Sequence, residues 1–362
     1  MITHDYFHHK QSNLRPITRR NFMKLGLYGA VSLAAEALIS ACGSAAPQPT
    51  AIPDPTDTPP PPGAPTVPPN THIIKTKDGR KLYYIEAGQA DGIPVLVFTG
   101  TPMSRILYQG WVDDARSKGL RLICYDRPGY GGSTPKPGRT VASAAEDASD
   151  LAKALGLKKL LVWGISGGGP HSIACAALLP GLVVAAAALA SPAPYVPFTA
   201  EGNDWYAGMS SDNVSEYQTA LKGRDALKGY FEGARSYFLS VSHDDFCNNC
   251  GCSPNPQSVT IVSREVSDYL LDSMCLALQN GPDGWIDDDL AFLAPWGLEP
   301  GQIRIPFFLM QGEIDNLVPI SNGIWLAKKI PNVEKRFIPD EDHLAMFTHV
   351  PEIHQWLLSK WK

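Results

Sequence analysis

The chain has 362 residues, 44% of them hydrophobic and 19% charged, so it is long enough to bury a sizeable globular core. Its formal net charge at pH 7 is -5, and no basic stripe remains beyond the N-terminal segment, which argues against nucleic acid as a partner.

The N-terminal segment is predicted to be an export signal rather than part of the fold. Thr18–Lys24 (TRRNFMK) closely matches the twin-arginine motif, and the apolar run Leu25–Ala41 follows it directly. This run is barely long enough to span a membrane and contains the charged Glu36, which favours a removable signal over a membrane-spanning helix. Residues 1–41 are therefore interpreted as a twin-arginine signal peptide.

A lipid anchor and a spacer are predicted to follow the signal. Leu38–Gly43 (LISACG) resembles a bacterial lipobox, and cleavage there would leave Cys42 as a lipid-modified N-terminus. Residues 42–70 are rich in Pro and cannot bury a core, so we expect an extended spacer. The sequence thus predicts an exported protein that is anchored on the outer face of a bacterial membrane through its lipid alone.

Strand-like and helix-like segments alternate beyond residue 70, which predicts an α/β fold with a mostly parallel sheet and helices on both faces. The alternation begins with a hairpin, in which Ile73–Thr76 and Lys81–Ala87 flank the turn Asp78-Gly79. The other predicted strands are Pro94–Phe98, Leu120–Tyr125, Lys159–Trp163, Val183–Ala190, Ile305–Gln311 and Val333–Ile338. The predicted helices are Arg105–Lys118, Ser143–Leu155, Gly167–Leu179, Ser321–Ile330 and His354–Lys360.

Helical patterns interrupt this alternation between residues 195 and 300. They include Ser215–Tyr230, Tyr230–Val241 and Val259–Gln279. We interpret the interruption as an α-helical cap inserted between the sixth and seventh strands, since caps close over the active edge of a sheet and form much of the substrate pocket. The proposed division is a core of residues 71–194 and 301–362 and a cap of residues 195–300.

The most informative motif lies where a predicted strand meets a predicted helix. The apolar run Leu160–Trp163 continues into Gly164-Ile165-Ser166-Gly167-Gly168, and a small-residue helix pattern follows. Such a nucleophile elbow holds its Ser in a strained backbone conformation that exposes the hydroxyl. Gly164 and Gly168 are required because a Cβ at either position would collide where strand and helix approach. Ser166 is therefore the predicted nucleophile.

Two candidate partners follow later in the chain, each after a predicted strand. Asp315 and His343 would lie at the carboxyl ends of their strands, where doubly wound sheets place their active sites. Glu313 remains an alternative to Asp315, because alternation along an extended segment puts both on the same side. Glu341 and Asp342, which precede His343, are expected to be solvated loop acids.

The order Ser, Asp, His resembles that of the α/β-hydrolase fold family, and the resemblance extends over roughly Thr71 to Lys362. Phe98–Pro102 (FTGTP) is similar to the family's oxyanion loop, with Thr99 where the family usually has His. Tyr125–Ser133 (YDRPGYGGS) resembles the family's turn after strand four, and Gly312–Pro319 (GEIDNLVP) resembles its acid loop. The resemblance implies an eight-stranded, mostly parallel sheet with an inserted helical cap.

The resemblance also implies a role for each candidate. Ser166 would attack an acyl carbon, His343 would take its proton, and Asp315 would fix the imidazole tautomer. The backbone amides of Thr101 and Gly167 would form the oxyanion hole. The implied substrate is a small molecule, and neither a cofactor nor a metal is implied.

The predicted activity is hydrolysis of an ester or related acyl bond through an acyl-enzyme intermediate. An alternative within the family is an aminopeptidase similar to proline iminopeptidases, which would need a cap acid to bind the substrate amine. An alternative of a different class is an inactive surface lipoprotein that binds a ligand on a hydrolase scaffold. The cap acids that leave the aminopeptidase open are Glu201, Asp204, Glu216, Glu232, Asp244 and Asp245.

Four cysteines gather in the predicted cap. Cys247, Cys250 and Cys252 form a cluster, and Cys275 lies downstream. In an oxidising compartment, a disulfide between one member of the cluster and Cys275 is the favoured interpretation. A small zinc site that adds Cys275 or His243 to the cluster is the alternative.

Overall fold

A computed structural model of the chain describes Pro68, residues 70–251, Thr260 and residues 262–362. The predicted signal peptide, the lipobox with Cys42 and nearly all of the Pro-rich spacer lie outside the described residues, as does Cys252. Among the described residues, no helix is long and apolar enough to cross a membrane.

Eight strands form one sheet, as expected. They are β1 (Thr71–Lys75), β2 (Lys81–Gly88), β3 (Ile93–Phe98), β4 (Leu120–Tyr125), β5 (Leu160–Ile165), β6 (Val183–Leu189), β7 (Phe307–Gly312) and β8 (Glu334–Ile338). Their order in the sheet is β1-β2-β4-β3-β5-β6-β7-β8. The pairs β1–β2 and β2–β4 are antiparallel, and every later pair is parallel. The turn between β1 and β2 contains Gly79 at φ +88°, a conformation that glycine adopts without strain.

Burial explains why the central strands are continuous apolar runs. Every residue of β5 and of β7 is buried, because helices cover both faces of a parallel sheet. The edge strand β8 differs, since Glu334, Lys335 and Arg336 are exposed there. Charged side chains on an edge strand discourage pairing with another chain. Ser166 follows the buried strand β5 and Asp315 follows the buried strand β7, whereas His343 follows the edge strand β8.

Helices occupy both faces of the sheet and the long insertion between β6 and β7. They are α1 (Gln109–Ser117), α2 (Ser143–Ala154), α3 (Gly169–Leu178), α4 (Tyr195–Ala200), α5 (Ser211–Ala220), α6 (Arg224–Ser240), α7 (His243–Phe246), α8 (Arg264–Leu278), α9 (Asp283–Leu293), α10 (Ile320–Lys329) and α11 (Val350–Lys360). Buried side chains of α2, α3 and α10 join the apolar cluster on one face, and those of α1 and α11 join the cluster on the other.

Helices α4 to α9 make up the insertion, and we call residues 195–293 the cap segment. The predicted boundary at Tyr230 is wrong, because α6 runs without a break from Arg224 to Ser240. The break lies earlier, at Gly223, whose φ of +97° is open to glycine but costly for other residues. The helix predicted over Val259–Gln279 begins at Arg264, where the Ser263 hydroxyl accepts a hydrogen bond from the Val266 amide.

The first core helix also begins later than predicted. Tyr108 has an extended backbone conformation, and α1 starts only after it, at Gln109. Arg105, which the prediction placed in the helix, is instead fully buried and ion-paired with Asp126. Its own amide donates to the Asp126 carboxylate at 2.7 Å. A charged pair in the core therefore replaces the first helical turn.

Candidate active site

The nucleophile elbow forms at the carboxyl end of β5. Ser166 has φ +54°, a left-handed conformation that costs a non-glycine residue on the order of 1–3 kcal/mol. A short 3₁₀ turn over Ser166–Gly168 leads into α3. A Cβ on Gly164 would overlap the carbonyl oxygen of Gly168, and one on Gly168 would overlap that of Phe98. The strain on Ser166 and the two glycines thus fit the predicted motif.

A hydrogen-bonded acid–base pair reaches the cavity that Ser166 lines. Asp315 Oδ2 lies 2.8 Å from His343 Nδ1, and both side chains are buried. Gln311 Nε2 donates to the same carboxylate oxygen at 2.9 Å, while Oδ1 accepts the amides of Leu317 at 2.9 Å and Val318 at 2.8 Å. Since the carboxylate accepts from Nδ1, the imidazole carries its proton there and leaves Nε2 as the basic atom.

The surroundings of His343 favour protonation of its imidazole. Burial alone would lower the pKa of His343, but the Asp315 carboxylate raises it above the ordinary histidine value. Ser166 and His343 line the same cavity. Glu313 is exposed to solvent and does not share this position, so Asp315 is the acid that the structure pairs with the histidine.

Asp342 departs from the expectation of a solvated loop acid. Its side chain is buried, and Oδ1 accepts the amides of Leu344 at 3.1 Å and Ala345 at 3.2 Å. Its other oxygen accepts the amide of Thr260 at 2.8 Å. Asp342 therefore caps the turn that follows His343, because its short side chain satisfies backbone donors that would otherwise lack partners. Glu341 is half-buried and bonds to His349 at 2.7 Å.

The loop after β3 packs directly against the elbow. A Cβ on Gly167 would lie 3.1 Å from the Thr101 amide nitrogen, and one on Gly100 would lie 3.3 Å from the Ser166 Cβ. The Thr101 and Gly167 backbones are therefore adjacent at the cavity wall, as an oxyanion hole requires. Thr99 is buried, and its hydroxyl bonds to the Ser104 carbonyl at 2.9 Å within the same loop.

The cavity between the core and the cap segment measures about 400 Å³. Most of its cap wall is apolar or aromatic and includes Phe238, Tyr269 and Met274. Three carboxyl groups interrupt that wall, from Asp212 and Glu216 on α5 and from Asp289 on α9. Among the described residues that line the cavity there is neither Lys nor Arg.

Glu216 and Asp289 form a pair, which we call the acid pair. Burial raises the pKa of Glu216 to about 7 and that of Asp289 well above its usual range, and the two side chains hydrogen-bond to each other. Trp285 Nε1 donates to Glu216 at 3.0 Å. Neighbouring carboxylates cannot both ionise cheaply, so the pair retains a proton at neutral pH.

Other cap acids that the sequence proposed are engaged elsewhere. Glu201 bonds to Lys329 at 2.7 Å, and Asp244 bonds to Arg264 at 2.7 Å. Glu232 lies 3.6 Å from Arg235. Glu216 lines the cavity as proposed, and Asp212 and Asp289, which are not among the proposed acids, line it as well. A run of three acids such as Asp287-Asp288-Asp289 carries no sequence signal that one of them enters a cavity.

The predicted disulfide to Cys275 is wrong. Cys275 is a free thiol, and its Sγ donates to the Phe238 carbonyl at 3.1 Å on the facing helix α6. Burial raises the pKa of this thiol to about 11, so it is inert at neutral pH. Cys247 is disulfide-bonded, but Cys275 is not its partner. The side chains of Cys250 and Cys252, on which the zinc alternative also depends, lie outside those that the structure describes.

Comparison with known proteins agrees with this architecture. The family described as "alpha/beta hydrolase fold" matches residues 93–350, so the chain belongs to the α/β-hydrolase fold family and is an enzyme of that family. It is similar to a non-heme chloroperoxidase of Streptomyces lividans, at 32% identity over 77% of this chain and 95% of the relative.

Two further relatives carry other activities in their names. A bifunctional esterase/perhydrolase of Acinetobacter calcoaceticus is 24% identical over 79% of this chain and 98% of its own length. A proline iminopeptidase of Neisseria meningitidis serogroup B is 25% identical over 73% of this chain and 87% of its own length. The relatives thus share the fold and differ in named activity, so the choice of reaction rests on the site itself.

Proposed function

We propose that this protein is a serine hydrolase that cleaves a carboxylic ester of a small molecule through an acyl-enzyme intermediate. The observation that carries the proposal is the Asp315–His343 hydrogen bond of 2.8 Å together with the strained Ser166, because His343 and Ser166 line one cavity. The largely apolar cavity suits an ester with an apolar acyl or alcohol part. The esterase named among the relatives supports the same reaction class.

The reaction proceeds in two acyl transfers. Ser166 Oγ attacks the ester carbon while His343 Nε2 takes the hydroxyl proton, and the Thr101 and Gly167 amides stabilise the oxyanion. The intermediate collapses to the acyl-enzyme, and the leaving alkoxide takes the proton from His343. Water then attacks the acyl carbon, His343 again takes and returns the proton, and the carboxylic acid leaves Ser166 free.

Covalent labelling tests this proposal. A fluorophosphonate probe should label the wild-type protein at Ser166, and the Ser166→Ala variant should remain unlabelled. The wild-type protein should also hydrolyse short p-nitrophenyl esters. Absence of both labelling and turnover in folded wild-type protein would favour the inactive ligand-binding lipoprotein instead.

A second candidate activity, on substrates that carry a protonated amine, is favoured by the acid pair. Glu216 and Asp289 stand on the cavity wall with no Lys or Arg among the described lining residues, so a cation is the partner they lack. Trp285, whose Nε1 donates to Glu216, lines the same cavity. An aminoacyl p-nitroanilide and a neutral ester of equal size, compared on the same sample, separate the two candidates.

We also propose that the protein reaches its site as a lipoprotein exported by the twin-arginine route. The support is the motif at Arg19 and Arg20 and the lipobox that ends at Cys42. The double variant Arg19→Lys, Arg20→Lys should block export, and Cys42→Ser should abolish lipid labelling in the native host. A membrane-bound protein that retains Met1 would contradict this proposal.

A further inference from the structure

A buried carboxylate on the cap segment lies directly behind the oxyanion loop. Asp288 on α9 has no exposed surface and is not among the residues that line the cavity. Its Oδ2 accepts Arg127 Nη2 at 2.7 Å, Tyr130 Oη at 2.8 Å and Thr101 Oγ1 at 2.7 Å. Its Oδ1 lies 2.7 Å from Arg139 Nη1. His171 Nε2 also lies 3.3 Å from Oδ1. The loop after β3, the segment between β4 and α2, and helix α3 therefore all contribute groups that contact this one cap side chain.

This carboxylate is ionised in the folded protein. Burial alone would raise the pKa of Asp288, but the Arg127 and Arg139 guanidinium groups hold it well below the usual range. His171 is neutral at pH 7, because burial lowers its pKa to about 4. Charge-assisted hydrogen bonds are shorter and stronger than neutral ones, so the carboxylate fixes the orientation of the Arg127 guanidinium.

The Arg127 side chain in turn holds the oxyanion loop by donating to backbone carbonyls of the loop. Nη1 donates to the Thr99 carbonyl at 2.7 Å, and Nη2 donates to the Gly100 carbonyl at 2.9 Å. Nη2 also lies 3.1 Å from Thr101 Oγ1. Three consecutive residues of the loop are thus tied to one guanidinium that lies outside the cavity lining.

Because a peptide group is planar, holding the Gly100 carbonyl also fixes the direction of the Thr101 amide. The Gly100–Thr101 peptide is trans, so the Gly100 C=O and the Thr101 N–H point in opposite directions within one plane. Arg127 holds the carbonyl on the side away from the cavity, which aims the Thr101 amide toward Ser166. The Thr101 hydroxyl, bonded to Asp288, prevents the same plane from rotating.

We propose that Asp288, acting through Arg127 and the Thr101 hydroxyl, is a positioning residue for the oxyanion hole. The inference rests on the proposed function, because a misaimed amide has a kinetic consequence only if an oxyanion forms. Neither the Asp288 side chain nor the Arg127 side chain lines the cavity in which the reaction takes place. The cap segment thereby supplies part of the catalytic geometry as well as the pocket wall.

Two matched variants test the proposal. Thr101→Val and Tyr130→Phe each remove one hydroxyl that donates to the same Asp288 oxygen, but only Thr101 lies in the oxyanion loop. Thr101→Val should lower kcat on a p-nitrophenyl ester by about tenfold, less than the loss of a whole oxyanion donor, which costs about 10²–10³. Its KM should change by less than about twofold, because ground-state binding does not use the hole. Tyr130→Phe should keep a kcat near that of wild type.

An inhibitor that forms an oxyanion distinguishes positioning from general loosening. Thr101→Val should weaken a trifluoromethyl ketone by the same factor as kcat, and leave the affinity for the product acid unchanged. Asp288→Asn should act in the same direction if it folds; if it does not, the pair of hydroxyl variants still decides. Equal kcat in the two variants, or equal weakening of both ligands, would overturn the inference while leaving the proposed function intact. An inactive wild-type protein would instead overturn the proposed function, and the inference with it.

Discussion

Asp288 and Asp289 are neighbours on α9, yet their surroundings shift their pKa values in opposite directions. Asp288 meets two guanidinium groups and stays ionised, with its pKa held well below the usual range. Asp289 meets another carboxyl group, Glu216, and its pKa is raised. Successive helical residues point about 100° apart, so one side chain enters the core and the other enters the cavity. Asp288, whose charge is compensated by two guanidinium groups, holds core and cap residues together. Asp289, which has no Lys or Arg beside it among the described residues of the cavity wall, is available to a cationic ligand.

Among the acids of this protein, Asp315 should have the largest effect on kcat, because it bonds directly to the base His343. Asp315→Asn should lower kcat by up to about 10⁴, since His343 loses its orientation and the stabilisation of its charged form. Stopped assays with p-nitrophenyl acetate would measure the loss. Glu313→Gln is the matched control two residues away, and a larger loss there would mean that the acid has been misassigned.

The same variant carries a pH signature. The neutral imidazole is the base, so kcat/KM should fall as pH falls through the His343 pKa, which Asp315 raises above the ordinary value. Without the carboxylate this pKa drops, and the acid limb of the residual activity should move to lower pH. A limb that stays in place would show that another group controls it.

The two neighbours on α9 should differ sharply in their contribution to stability. Asp288→Asn leaves Arg127 and Arg139 buried without their counter-charge and should cost about 3–5 kcal/mol of unfolding free energy. Asp289→Asn removes an acid that burial already disfavours, and should be close to neutral. Urea unfolding of both variants at pH 7 measures the difference, and equal losses would break the comparison.

The acid pair should matter for cationic substrates alone. Glu216→Gln should raise KM for an aminoacyl ester by about tenfold, in line with the loss of one ion pair in a cavity, and leave a neutral ester of equal size unchanged. Because the pKa of Glu216 is about 7, the preference for the cationic ester should weaken as pH falls below 7. If both esters respond alike, the pair does not bind an amine.

The smallest expected effect is the pH dependence of stability. Glu216 binds its proton more tightly when folded than when unfolded, since its pKa rises from 4.5 to about 7. Its contribution is therefore largest below pH 4.5 and is lost as pH rises through about 7. Asp288 has the opposite sign, because its pKa is lowered and its stabilisation is lost as pH falls. Glu216→Gln should flatten the curve of unfolding free energy between about pH 5 and 7.

The sequence predicted the parts of the site that a local motif defines. Ser166 follows from glycines that must lie two residues to either side of it, and the central strands follow from apolar runs. The ends of all eight predicted strands shifted by at most two residues. Asp315 could not be separated from Glu313 by alternation. Its burial and the amides of Leu317 and Val318 make the choice, and these depend on how the loop folds.

The cap segment resisted prediction for a different reason. The Cys275 thiol bonds to a carbonyl on α6 rather than to a cluster cysteine, a choice set by the packing of α6 against α8. The role of Asp288 depends on Arg127 and Arg139, more than a hundred residues away, and that of Asp289 depends on Glu216 on another helix. A composition of three successive acids carries no information about which of them will be neutralised.

The ion pair between Arg127 and Asp288 also limits how this enzyme can be re-engineered. A cap taken from another hydrolase would graft a new pocket onto the sheet, but without an acid at this position it would leave the guanidinium uncompensated. The oxyanion loop would then lose its support at the moment the pocket changed. Chimaeras of this protein should therefore retain α9 with the core and exchange only the helices before it, so that specificity can be varied without disturbing the chemistry.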